Sequence, residues 1–220
     1  MDNKVIHNFC ESRLHNNEPP EIFNAFTSFF ISLIPFIFGF PKNIYFFNSS
    51  ILLVINGITS FYYHYNLNYL GKQSDEIAMI LITYYTIYGL LNLKFNNNKK
   101  KIINFNTINL IFMFCFTVFN TEIYFDFLFP YLFSTYLIPL LYLVYDNGLH
   151  YSVDYKPELF LSLFGALSWI ISELFCNKYT TYGHVLWHIL FPLGYYNLLL
   201  KFDQIYQRLD NNHNTLIMNV

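Results

Sequence analysis

Charged residues are scarce in this chain. Only 12% of its 220 residues are Asp, Glu, Lys or Arg, whereas about 25% is typical of soluble domains. This shortage excludes an ordinary soluble globular domain, and the net charge of −2 argues against a nucleic-acid partner. The first 20 residues also lack an apolar stretch, so we expect no cleavable signal peptide.

Apolar residues are abundant instead. They make up 55% of the chain, and the mean hydropathy is +0.32. Aromatic residues make up 22%, a content that suits a protein with aromatic belts at the two membrane–water interfaces. About 20 mostly apolar residues cross a bilayer as a helix. The sequence therefore predicts an all-α integral membrane bundle of seven transmembrane helices in one domain, residues 1–220, because connections are short and no linker is visible. The predicted spans are 22–40, 46–65, 75–93, 103–119, 123–145, 157–175 and 181–200.

The distribution of basic residues predicts the orientation of the bundle. Of the 12 Lys and Arg residues, 4 fall on the side of the N-terminus and 8 on the other side, which includes the run of lysines at 99–101. Since cytosolic loops are enriched in Lys and Arg, we expect the side with 8 basic residues to be cytosolic, including the C-terminal tail, residues 203–220. We also expect this tail to be loosely ordered. Residues 1–21 are then a lumenal or external segment.

Several polar residues are predicted to meet on the lumenal side of the membrane. Ser60 and His64 end the second span, Asp75 begins the third, and His184 and His188 lie at the start of the seventh. Residues four apart share one face of a helix. Ser60 and His64 therefore lie on one face of the second span, and His184 and His188 lie on one face of the seventh. Three separate spans thus bring these five side chains to one depth.

This set of side chains is typical of a catalytic zinc site. Three neutral imidazoles, here His64, His184 and His188, leave an open coordination position for water. Asp75 would then act as general base and later as general acid. Ser60 would hydrogen-bond the water or a developing oxyanion.

Each residue also has a simpler interpretation. A single histidine at the end of a membrane helix is often interfacial, and Asp75 beside Glu76 suits a helix N-terminus. Ser60 is a small residue of the kind that packs helix against helix. The hypothesis therefore depends on the group rather than on any one member.

With these motifs the sequence resembles the alkaline ceramidase family, within the seven-span hydrolases that include adiponectin-type receptors and GPI-remodelling proteins. The resemblance covers residues 8–188. It is carried by Ser60-x-x-x-His64 with Asp75 eleven residues later, by Gly-His-Val-Leu-Trp-His at 183–188, by Trp169, Glu173 and Cys176, by Phe-Cys-Glu at 9–11, and by Glu-Ile-Phe-Asn at 21–24.

The resemblance implies a zinc-dependent hydrolase that cleaves the N-acyl bond of ceramide, a membrane lipid, to a sphingoid base and a fatty acid. An endoplasmic reticulum or Golgi-type membrane is implied as its location. The family pairs cysteines at positions that correspond to Cys10 and Cys176, so a disulfide between them is expected. Trp169 and Trp187 either pack the bundle or shape the lipid slot, and packing is favoured.

The resemblance also implies a calcium site in the N-terminal segment. The corresponding positions here are Asn8, Phe9, Glu11, Arg13 and Glu21. Arg13 cannot coordinate a cation, and calcium prefers several oxygen ligands. Calcium dependence therefore stays an open question, with an acidic, solvated tail as the alternative.

Other functions are compatible with the same motifs. A related enzyme that cleaves esters of GPI or phospholipids would use the same metal core, and a non-catalytic seven-span receptor would retain it unused. A bis-histidine haem protein is disfavoured, because two histidines four apart on one helix cannot both bind one haem axially.

Overall fold

The structure, a computed structural model, describes residues 9–16, 18–94, 107–108, 110–112, 114–115 and 128–218, and these fold into helices joined by short loops. The seven helices that it bounds are α1 (Cys10–Leu14), α2 (Ile22–Phe38), α3 (Ile44–Asn66), α4 (Tyr69–Lys94), α5 (Leu128–His150), α6 (Lys156–Leu174) and α7 (Tyr182–Met218). The fold is therefore all-helical over the described part of the chain. Most of the predicted span 103–119 lies outside the described residues.

Three of these helices are long and apolar enough to cross a membrane: α3, α4 and α6. Helix α2 is apolar but shorter, with 17 residues. Outward-facing side chains are also apolar, and Phe36, Phe160 and Leu174 are among the exposed ones. These features support a membrane protein, while the full count of seven spans stays a prediction.

Helix α4 begins earlier than the sequence predicted. It starts at Tyr69 rather than at Asp75, because the Asn68 side chain accepts a hydrogen bond from the Gly71 backbone N–H at 2.8 Å and caps the helix. Leu67, with φ of 47°, ends α3, so only two residues separate the two helices. Asp75 therefore lies inside α4 rather than at its N-terminus.

Helix α7 extends well beyond its predicted end. We expected a loosely ordered tail from residue 203, but this prediction was wrong, since the helix continues to Met218. The buried carboxylate of Asp203 explains part of the extension. It accepts hydrogen bonds from the backbone N–H groups of Lys42 and Asn43, just before α3.

The helices pack around a common interior. Helix α6 packs against α7, α4 packs against both α3 and α5, and α2 lies against α3 and α7. The main apolar core joins α4, α5 and the middle of α7 around Phe46 of α3. Because this core fills one end of the bundle, the polar residues discussed below occupy the other.

Candidate active site

Three histidines converge at the end of α3 and the start of α7. The ring centre of His64 lies 5.0 Å from that of His184 and 5.0 Å from that of His188. The ring centres of His184 and His188 are 4.6 Å apart. All three side chains are buried, and their candidate ligand atoms lie within 4.8 Å of one another. The structure thus brings together the three histidines predicted from the sequence.

A glycine allows α7 to reach this position. A Cβ atom at Gly183 would lie 2.1 Å from the Ser168 carbonyl oxygen on α6, far inside van der Waals contact. The two backbones approach closely only because residue 183 has no side chain. Gly183 therefore fixes the start of α7, where His184 follows directly.

Two of the histidines donate a hydrogen bond to α2 or its cap through Nδ1. His64 Nδ1 lies 2.6 Å from Glu21 Oε2, and His188 Nδ1 lies 3.2 Å from Thr27 Oγ1. The Thr27 hydroxyl donates to the Phe23 carbonyl at 2.7 Å, so toward His188 it acts as acceptor. With the proton assigned to Nδ1 by these partners, Nε2 of both rings keeps its lone pair for a metal.

The third histidine lies between an amide and a carboxylate. His184 Nδ1 is 3.5 Å from Asn24 Nδ2 and 3.8 Å from Glu173 Oε1. The ring also packs edge-on against Phe9, with ring centres 4.5 Å apart. Polar and apolar neighbours together hold this ring beside the other two.

Glu21 connects the histidines to the N-terminal segment. Its other oxygen accepts a hydrogen bond from the Ser12 hydroxyl at 2.6 Å, and its side chain is fully buried. Burial by itself raises the pKa of Glu21, but the hydrogen bond and charge of His64, with hydrogen bonds from Ser12 and Asn24, hold this pKa below its usual value. An ionised carboxylate is the partner that most increases the basicity of a metal-binding imidazole.

Asp75 faces the same interior from α4. Its Oδ1 accepts a hydrogen bond from Asn56 Nδ2 at 2.7 Å, and the Ser60 side chain lies near the same carboxylate. Asn56, Ser60 and His64 follow one another at four-residue spacing on α3, so they form one stripe. Ser60 thus lies on the side of α3 that faces the predicted acid–base residue.

A largely apolar cavity adjoins these groups. It has a volume of about 230 Å³, and His64, His184 and Asp75 line it together with side chains of α3 to α7. Leu141 of α5 and Leu163 of α6 line the cavity and are also exposed. Over the described residues, side chains of α5 and α6 that line the cavity therefore also reach the apolar surface.

The disulfide expected between Cys10 and Cys176 is present in the structure. It ties α1 to the residues after α6. Arg13 strengthens the same connection, since its guanidinium lies 2.8 Å from Glu173 Oε2 and also donates to the Glu173 carbonyl. Glu173 further accepts from the Cys10 backbone N–H at 3.3 Å. The N-terminal segment is thereby fixed over the histidines.

The residues expected to hold calcium have other partners. Glu11 accepts from the backbone N–H groups of Phe23 and Asn24, at 2.8 and 2.9 Å, and so caps the N-terminus of α2. Burial raises the pKa of Glu11, which these two hydrogen bonds oppose. The Phe9 carbonyl accepts from Ser12 and from the Arg13 backbone. With Glu21 bonded to His64 and a guanidinium at position 13, the described residues do not fit a calcium ion; Asn8 lies outside them.

Sequence reasoning missed several members of this site. The sequence offered Glu21 only as a candidate calcium ligand and did not single out its contact with His64, nor Thr27 or Asn56. Glu21, Asn24 and Thr27 recur every three residues at the start of α2. This polar stripe in an apolar helix was the available signal.

Comparison with known proteins places these observations in a family. The Ceramidase family model matches residues 4–219, which include every site residue described above. No curated protein matches the chain. The family supports, in general terms, a membrane-associated and metal-dependent hydrolase that acts on the amide bond of ceramide. Because the match spans nearly its whole length, the chain belongs to the Ceramidase family.

Proposed function

We propose that this protein is a zinc-dependent intramembrane amidase that hydrolyses the N-acyl bond of ceramide to a sphingoid base and a fatty acid. One observation carries the proposal: three buried histidines cluster at a largely apolar cavity, which two of them, His64 and His184, line together with Asp75. A lipid amide has the same division into a polar reacting group and apolar chains.

The histidine cluster fits zinc by the chemistry of its donors. His64, His184 and His188 would hold the ion, since three imidazoles with an open fourth position are typical of catalytic zinc. Bound zinc acts as a Lewis acid that activates water at neutral pH and polarises a carbonyl. Hydrogen bonds from Nδ1 to Glu21 and Thr27 support the required ring orientation.

Asp75 carries the proton transfers of the reaction. As the water oxygen forms its bond to the acyl carbon, Asp75 takes the proton that the water loses. When the C–N bond breaks, Asp75 delivers that proton to the departing nitrogen, so the products are a carboxylic acid and an amine. Asn56 holds the carboxylate in position through its hydrogen bond to it, and Ser60 lies nearby on the same face of α3.

The membrane supplies the substrate. In the proposed arrangement the single domain crosses the bilayer seven times, with residues 1–21 lumenal and 203–220 cytosolic. Ceramide enters sideways between α5 and α6, where the cavity meets the apolar surface. Water reaches the histidines from the lumenal side, near the disulfide.

The test is ceramide hydrolysis by the purified protein in lipid nanodiscs. We expect release of sphingoid base, measured by mass spectrometry, that stops on zinc chelation and resumes on adding zinc. Phospholipid and GPI esters in the same assay distinguish an amidase from a lipid esterase. Cleavage of esters alone, or no cleavage of any lipid by the zinc-loaded protein, would overturn the proposal.

A further inference from the structure

Helix α1 is too short to keep its position without attachments to other elements. It has 5 residues, whereas isolated helices shorter than about 12–15 residues are marginal in water. Yet this segment contacts the histidine cluster. The Phe9 ring packs on the rings of His64 and His184, with ring centres 5.1 and 4.5 Å away, and Ser12 donates to Glu21, the partner of His64. The attachments of α1 therefore also determine the surroundings of the histidines.

Arg13, near the end of α1, attaches the helix to α6 through a single nitrogen. Its Nη2 lies 2.8 Å from Glu173 Oε2 and 3.0 Å from the Glu173 carbonyl oxygen. Glu173 is the penultimate residue of α6, so its carbonyl is among the last four, which a helix leaves without an internal partner. Positive charge is favourable at this end of a helix. The guanidinium thus serves a carboxylate and a helix C-terminus at once.

Glu173 connects Arg13 to the histidine cluster. With Oε2 on the guanidinium, the other oxygen, Oε1, accepts from the Cys10 backbone N–H at 3.3 Å and lies 3.8 Å from His184 Nδ1. The direction of the carboxylate toward His184 therefore depends on the contact with Arg13. Because Arg13 acts through Glu173, it is a positioning residue.

The two oxygens that Arg13 contacts are of the kinds that bind divalent ions. Calcium is held by carboxylate and backbone carbonyl oxygens. At Glu173 one oxygen of each kind faces a guanidinium instead, and a guanidinium is charged at every physiological pH. This cation is part of the chain, so it is neither lost by dilution nor removed by a chelator.

We infer that Arg13 is a built-in cation that holds α1 over the histidines, so that assembly of the site needs no divalent ion in the N-terminal segment. The inference rests on the proposed function where zinc affinity is the readout. The disulfide of Cys10 with Cys176 fixes the start of α1, and Arg13 fixes the helix near its end. Two attachments, one near each end, give α1 a single orientation.

Two replacements of Arg13 test this role. Since one nitrogen makes both contacts, the ammonium group of Arg13→Lys, with three donors, can replace it, whereas Arg13→Met has no donor. The pair is partly exposed and acts through Glu173, so we expect Arg13→Met to bind zinc about 3- to 10-fold more weakly, less than the loss of a direct outer-shell partner causes. Arg13→Lys should restore most of the affinity. Competition with a zinc chelator measures both.

The matched control is Lys178→Met, which removes one positive charge two residues after Cys176. Lys178 is exposed, and its Nζ lies over the Tyr179 ring. This variant should bind zinc as wild type does. Equal zinc affinity in Arg13→Met and wild type, or the same loss in Arg13→Met and Lys178→Met, would overturn the inference.

Hydrogen exchange of the metal-free protein separates this inference from the proposed function. The backbone amides of residues 10–14 should exchange about 3- to 10-fold faster in Arg13→Met than in wild type, because α1 opens more readily. Faster exchange in Arg13→Met, with no zinc binding and no ceramide cleavage by wild type, refutes the proposed function and supports the inference. Unchanged exchange in a variant that binds zinc and cleaves ceramide like wild type overturns the inference alone.

A charge reversal tests the replacement of an ion by a side chain. Arg13→Glu places a second carboxylate opposite Glu173, and a divalent ion is then needed to join the two. We expect calcium to raise the zinc affinity of Arg13→Glu and to leave wild type and the double variant Arg13→Glu/Glu173→Gln unchanged. A zinc affinity of wild type that depends on calcium would contradict the inference.

Discussion

Two buried carboxylates at opposite ends of α3 show how the same side-chain chemistry serves different purposes. Glu21 lies near the end of α3, where its carboxylate bonds to the imidazole of His64 and to the Ser12 hydroxyl. Asp203 lies near the start of α3, where it bonds to the backbone N–H groups of Lys42 and Asn43 and to the Gln207 side chain. Both are almost fully buried.

The identity of the donors separates the two roles. Backbone N–H groups before a helix need an acceptor for the fold to be stable, so Asp203 completes a helix terminus. An imidazole has no such requirement, and its orientation matters only when the other ring nitrogen binds something. Burial of a carboxylate therefore does not by itself indicate an active site, whereas a hydrogen bond between a buried carboxylate and a histidine ring does.

The largest expected effect is on the rate of ceramide hydrolysis, which should depend on Asp75 and not on Asp203. Asp75→Asn keeps the size of the side chain but cannot accept a proton, so ceramide hydrolysis should fall about 10²- to 10⁴-fold. Asp203→Asn should leave the rate per folded molecule within a few-fold of wild type. Sphingoid base release, normalised to zinc content, is the measurement. Equal losses in the two variants would show that Asp75 has only a structural role.

Glu21→Gln tests the link from the carboxylate to the metal. Loss of an outer-shell partner typically lowers metal affinity about 10- to 100-fold, and we expect that range for zinc. The control is Glu11→Gln, which alters a carboxylate of similar burial whose hydrogen-bond partners among the described residues are backbone N–H groups of α2. Competition with a zinc chelator measures both. Equal zinc affinity in Glu21→Gln and wild type would contradict the assignment.

Asp203→Ala should instead affect stability. Losing an acceptor at a helix N-terminus costs about 0.5–2 kcal/mol. For a chain of this length, each kcal/mol corresponds to a drop of about 2–4 °C in the melting temperature. Thermal unfolding in detergent should show that drop, with unchanged zinc affinity. A variant that melts like wild type but loses zinc would reverse the roles of the two carboxylates.

The smallest expected effect concerns calcium. At a free calcium concentration of about 100 times the Kd, a calcium site would add about 2.7 kcal/mol to the stability of the folded state. Because Glu11, Glu21 and Arg13 have other partners, we expect calcium and calcium chelators to leave the melting temperature unchanged. Terbium luminescence is the second readout. A rise in melting temperature with calcium would show that the N-terminal segment binds the ion after all.

The sequence predicted the parts of this molecule that depend on regular spacing. The His184–His188 pair and the Ser60–His64 pair follow from helical periodicity, and the alternation of antiparallel helices brings both pairs to one end. The helical class follows from the long apolar segments. These features are local or depend only on the direction of successive helices.

Contacts between distant helices could not be predicted in this way. Glu21 and His64 are 43 residues apart, and no periodicity in either helix records that their side chains meet. Likewise, the polar residues before Asp75 resemble a loop, yet the cap by Asn68 makes them the first turns of α4. The extension of α7 depends on Asp203, whose partners precede α3. Tertiary hydrogen bonds decide each case.

The metal content of the purified protein tests the central claim most directly. Wild type and His150→Ala, which alters an exposed histidine at the end of α5, should each carry about one zinc ion per chain by mass spectrometry. His64→Ala and His188→Ala, folded as judged by thermal unfolding, should carry almost none. Zinc at equal levels in all four proteins, or in none of them after zinc loading, would contradict the account.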